Sequence, residues 1–177
     1  MKNSYLSEKY KKTYAVNNCI TYKKSPVITS IVFPVFFLLK YKNFEYKNPE
    51  FLYFSFITIN ASAISILFWL DPVQNKNKLI HKIDAITARF VLSNYALYKI
   101  FINQTNIELF FTSYILMLLF FYLSNKFSTM KWCSRKHINS HINAHLYSIV
   151  CFLIVLNDIH NPFYEVENSK KIIFLPY

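Results

Sequence analysis

The residues best suited to chemistry lie between positions 137 and 147, in the stretch HINSHINAHLY. His137, His141 and His145 recur every four residues and make up three of the chain's five histidines. On a helix, side chains four apart share a face, so neighbouring members of the set could bind one zinc ion. Members eight apart are separated by about 12 Å along the axis, which excludes His137 and His145 as ligands of one ion. His141 and His145 are the favoured pair, because they enter the apolar run that follows, where an unpartnered imidazole is costlier. His81 or Asp84 could complete the ligand set and leave one position for water. Water on such a zinc ion is acidified toward neutrality and becomes a hydrolytic nucleophile. In that chemistry Asp84 would act as base or orient a ligand, and Ser65 would hydrogen-bond the developing oxyanion. The metal-free alternative is a polar collar, three imidazoles solvated among lipid headgroups where a helix leaves the bilayer.

These residues need a scaffold, and the composition says which kind. Of 177 residues 54% are hydrophobic and only 16% charged, with 18 Phe and 14 Tyr. That balance, gathered into long apolar runs, predicts an all-α integral membrane bundle with four or five transmembrane helices. The run 27–41, VITSIVFPVFFLLKY, is short for a crossing and carries Pro34, which membrane helices tolerate. The run 51–70, FLYFSFITINASAISILFWL, is free of charge and presents Ala61, Ser62 and Ser65 as a face small enough for close helix packing. Asp71-Pro72 marks its end. Further spans are expected over 84–102, with Asp84 as a possible N-cap, over 107–124, and over 145–159 or from His141 onward. Trp69, Trp132 and Tyr147 read as interfacial anchors. The chain thus divides into a basic polar tail (1–26), a multi-pass domain (27–159) and a C-terminal tail (160–177).

Glycine is absent from the whole chain. This excludes a phosphate-cradling GxxxxGK loop, a GxGxxG nucleotide turn and a GxxxG dimer face, and helices must stop without the usual C′ glycine. Cys19, Cys133 and Cys151 are an odd count without CxxC spacing, and Cys151 falls in an apolar run where a buried thiol is expected. The net charge of +11 sits between apolar runs, where it suits anionic headgroups and not nucleic acid. With five crossings, 13 of the 20 Lys and Arg fall on the side holding the N-terminus and 6 on the other, which predicts a cytosolic N-terminus.

The order of the chemical residues resembles the membrane hydrolase superfamily of alkaline ceramidases, Per1-type remodelling proteins and progestin/adipoQ receptors. That family carries a serine near the end of one span and a histidine four residues on. An aspartate opens the next span, and an HxxxH pair enters the last. Here the serine position looks like Ser65 in SILFW, the aspartate like Asp84 in HKIDAITARF, and the pair like His141 and His145. The resemblance covers about residues 62 to 150 and implies zinc-dependent cleavage of lipid amides or esters on a bundle of seven helices. This chain departs from the pattern in two places. Trp69 stands where the first histidine belongs, and the runs predict five helices.

Two readings of function follow. The first is a small multi-pass membrane protein with a non-catalytic role, its partners the lipid bilayer and further copies of itself as a homo-oligomer. The second is a zinc-dependent hydrolase acting on a lipid substrate. A transporter is disfavoured, because the runs lack the interior charges and broken-helix signals of a transport path.

Overall fold

A computed structural model describes residues 24–41, 49–70, 72 and 79–160 of the chain. Most of the two expected tails, with Cys19 and Asp71, lies outside the described residues. Within them the fold is all α: α1 (Lys24–Tyr41), α2 (Pro49–Leu70), α3 (Leu79–Phe101), α4 (Ile107–Met130) and α5 (Arg135–His160). Helices α2, α4 and α5 are long and apolar enough to cross a membrane, and α1 is a shorter apolar helix. The protein is therefore a multi-pass α-helical membrane protein. At 23 residues α3 rises about 35 Å, but Lys82, Asp84, Arg89 and Lys99 lower its apolar character.

Several boundaries move relative to the sequence reading. The first helix starts at Lys24 and runs unbroken through Pro34. The third starts at Leu79, so Asp84 lies inside the helix and is not its N-cap. The second ends at Leu70, just before Pro72, as expected. With no glycine available, the left-handed backbone positions fall to Asn106, ahead of α4, and to Cys133, in the turn before α5. Asparagine adopts this conformation more readily than most residues.

The central helix is α5, which packs against all four others. Phe152, Val155 and Leu156 on this helix are fully buried. They join Phe51 and Phe54 of α2, Tyr95 and Tyr98 of α3, and Phe110 and Met117 of α4 in the main core. Cys151 is the free, buried thiol that its run implied. A second, smaller cluster at the other end of the bundle holds Phe68, Trp69, Trp132 and Ile138. This corrects the reading of the tryptophans as interfacial anchors: Trp69 is 1% exposed and Trp132 9%. The outward faces carry Phe56, Leu67, Ile115 and Leu118, an apolar surface suited to lipid.

Where lipid and core are equally apolar, helix association rests on close packing and interhelical hydrogen bonds. The small face of α2 supplies both. Ser62 donates its hydroxyl to the backbone carbonyl of Ser30 on α1, and Ser30 Oγ lies 3.1 Å from Ser65 Oγ. Across the other side of α2, Thr58 and Tyr95 join their hydroxyls, and Tyr53 donates to Asn94 Oδ1 at 2.7 Å. Each such bond contributes about 0.6 kcal/mol, up to roughly 1.7. They fix which faces of α1, α2 and α3 meet.

Candidate functional site

The polar faces of four helices meet at one inner cavity of about 80 Å³. One water needs about 10–15 Å³ by the same measure, so several waters or a small polar group would fit. Its polar lining includes Ser30 from α1, Ser62 and Ser65 from α2, Asp84 from α3, and His141, His145 and Ser148 from α5. Four of the five residues singled out by sequence, Ser65, Asp84, His141 and His145, are thus brought together. The fifth, His81, does not line this cavity. It stands in an outer groove, edge-on to Phe68 at 5.0 Å and 6.4 Å from the Trp132 ring. His137 is buried and turns back on its own helix start, its Nδ1 accepting from the Cys133 N–H at 3.1 Å.

Hydrogen bonding sets the chemistry of each group. Ser65 and Asp84 both face the cavity, and Ser65 Oγ meets Ser30 Oγ of α1 at 3.1 Å. Among the described residues no hydrogen bond joins Ser65 to an imidazole. His141 is held on both ring nitrogens: the Trp69 indole N–H donates to Nε2 at 3.2 Å, and Ser124 Oγ lies 3.3 Å from Nδ1. An indole nitrogen is a donor only. Nε2 must therefore carry the lone pair, and the His141 proton sits on Nδ1, facing Ser124.

His145 is anchored at Nδ1 by Thr29 Oγ1, at 2.9 Å. The Thr29 hydroxyl also donates to the Pro26 carbonyl at 3.0 Å, which makes His145 Nδ1 the donor and leaves Nε2 with its lone pair. The two rings are 4.6 Å apart. A neutral imidazole nitrogen at the cavity wall can accept a hydrogen bond or ligate a metal.

Whether zinc fits is a question of donor number. A catalytic zinc site needs three protein ligands around an open position. Among the described residues no group of three or more His, Cys, Asp and Glu side chains is placed to hold a metal ion. The lone pair of His141 that would face a metal is engaged by Trp69. The His81, His141, His145 set considered from sequence is not assembled, because His81 is turned into the aromatic cluster.

Two features were not read from sequence. Thr29 and Ser30 contribute to the site from α1, and a polar pair inside the short apolar run ITSIVF was the available signal. At the other end of the bundle, Lys99 pairs with Asp158 in the interior. This corrects the expectation that the spans lack interior charges.

Against protein-family models, curated proteins and solved structures, the chain shows no match.

Proposed function

We propose that this chain is a non-catalytic membrane protein that crosses the bilayer four or five times, α3 crossing beside the three long apolar helices and α1 supplying the fifth span where it too crosses. Its inner polar cavity is a structural hydrogen-bonded hub between helices. The observation that carries this reading is the 3.2 Å bond from Trp69 Nε1 to His141 Nε2. An indole N–H occupies the place at which a metal would sit on that imidazole. Around it, Thr29, Ser30, Ser62 and Ser124 each hydrogen-bond to a partner on another helix, so the polar groups cross-link helices. A descendant of the membrane hydrolase superfamily that kept the scaffold and lost its metal would have this character.

The second reading, a zinc-dependent hydrolase of lipid amides or esters, draws support from the convergence of Ser65, Asp84, His141 and His145 on one cavity. Elemental mass spectrometry on detergent-purified protein separates the two. The non-catalytic reading expects substoichiometric zinc, unchanged in a His141→Ala/His145→Ala variant. About one zinc per chain, lost in that variant, would overturn it.

A further inference from the structure

A groove of about 750 Å³ opens between α3 and α4, two helices that touch each other little while each packs on α5. Its size falls within the about 300–1,000 Å³ typical of ligand sites. From the α3 side it is lined by Lys82, Ala85, Ile86 and Arg89. That spacing places all four on one helical stripe. The two alanines at positions 85 and 88 keep the floor low, and Leu118, Phe121 and Tyr122 of α4 form the far wall.

The charges of this groove are unbalanced. Lys82 and Arg89 are exposed and form no ion pair among the described residues, where the Lys99–Asp158 bridge is the one salt bridge found. The acid in the lining, Asp84, is partly buried and also faces the inner cavity. The apolar wall continues outward on the α4 side as Leu118 and Tyr122, both exposed. A groove with two cations at one edge that have no ion-pair partner among the described residues, an apolar strip of Ala85, Ala88 and Leu92 beside the polar Ser124 and Ser128, and an apolar lip suits an anion attached to a hydrocarbon chain.

We infer that the α3–α4 groove binds an anionic phospholipid from the surrounding leaflet, its headgroup phosphate held by Lys82 and Arg89 and one acyl chain laid over Ala85 and Ala88 against Leu118. Arg89 lies about 10 Å further along α3 than Lys82 and reaches back toward the headgroup level along its own aliphatic stem. The groove shares Asp84, Ala88, Leu92, Phe121 and His141 with the inner cavity, so the bound chain covers the cavity's outer wall. This inference needs no metal and stands apart from the zinc question.

Both tryptophans of the chain, Trp69 and Trp132, border this groove and report on it. The test reconstitutes the full chain in phosphatidylcholine–phosphatidylglycerol vesicles in which one lipid at a time carries bromine on its acyl chains near the carbonyl. At equal mole fraction, brominated phosphatidylglycerol should quench tryptophan more strongly. A preference of roughly thirtyfold is the size expected for two basic side chains at an anionic surface, at about 1 kcal/mol each. Lys82→Gln/Arg89→Gln should bring the preference close to one. Lys126→Gln/Lys131→Gln, which removes the same charge from exposed positions outside the groove, should leave it. Ala85→Phe, which fills the floor and keeps both cations, should lower quenching by both lipids, and free inorganic phosphate should not relieve it. Equal quenching by the two lipids, a preference that survives loss of Lys82 and Arg89, or the same decline in both double variants would overturn the inference.

Discussion

Lys99 Nζ lies 2.5 Å from Asp158 Oδ2, joining the last turns of α3 and α5 by a salt bridge whose side chains are 0% and 2% exposed. The bridge is embedded in a network. Lys99 also donates to the Thr105 carbonyl, and the Thr105 hydroxyl lies 2.8 Å from Asp158 Oδ1 and 2.5 Å from Asn103 Oδ1, its one proton serving one of them at a time. Asn103 Oδ1 in turn accepts from the Thr105 N–H at 2.9 Å. The α3–α4 connection is thereby tied to the C-terminal part of the central helix. Charges this deep persist where each is neutralised and hydrogen-bonded.

Breaking one side of this bridge should be far worse than removing both. Lys99→Met or Asp158→Leu alone should destabilise by about 3–5 kcal/mol, since each leaves an uncompensated buried charge. The double variant should recover most of that loss, because two apolar side chains of similar volume need no partner. Unfolding in mixed micelles, followed by helical circular dichroism, measures all three. Equal and additive losses would show that the two residues act separately.

A second expectation concerns the turn before α4. Asn106 has φ 51 and ψ 28 and makes no side-chain capping bond. Its value is therefore conformational. Asn106→Val should cost about 1–2 kcal/mol, the steric price of a left-handed β-branched residue. Asn106→Gly should lie within roughly 0.5 kcal/mol of the parent, because glycine accepts the same dihedrals. The same unfolding assay decides. A loss in the glycine variant as large as in the valine variant would assign the role to the side chain.

How much of this was legible beforehand depended on the kind of signal. The apolar runs at 51–70 and 107–124 became α2 and the body of α4 because twenty or so apolar residues need no tertiary context to be recognised. The Ala61, Ser62 and Ser65 face foretold the tight α1–α2 contact for the same local reason. The meeting of Ser65 with Asp84 followed from counting helix reversals, and that of His141 with His145 from their spacing of four residues on one helix. What stayed hidden was orientation about the helix axes. His81 shares a membrane level with the cavity but is rotated into the Phe68 and Trp132 rings. Trp69 read as a belt residue, yet packing drew it inward onto His141. Lys99 and Asp158 are 59 residues apart in sequence, so only the packed bundle shows them as a pair.

The α1–α2 contact gives a third prediction. Ser62 is 5% exposed, and its hydroxyl reaches the Ser30 backbone, which leaves no space for a branched side chain. Ser62→Leu should wedge α1 away at a cost of about 1–3 kcal/mol, typical of overpacking. Ser62→Ala should cost about 1 kcal/mol, the worth of one lost hydrogen bond. Limited proteolysis in detergent, with cleavage sites mapped by mass spectrometry, should show α1 becoming the first segment attacked in the leucine variant only. Unchanged protection would mean that α1 is held by its contacts with α5 instead.

The bond from Trp69 to His141 makes the last prediction, and it concerns a proton. With the indole donating to Nε2, the His141 imidazole must be the Nδ1–H tautomer, its proton toward Ser124. Nitrogen-15 spectra of histidine-labelled protein in micelles distinguish the two tautomers directly. Trp69→Phe keeps a ring in the aromatic cluster but removes the donor. The partly buried Nε2 then loses its protein partner, at a cost of up to about 1–3 kcal/mol, and the His141 signal should move toward a mixture of tautomers. The His145 signal should stay in place, because Thr29 holds that ring from another helix. A His141 protonated at Nε2 in the parent protein would mean that the indole bond does not form, and the lone pair would be free for a metal.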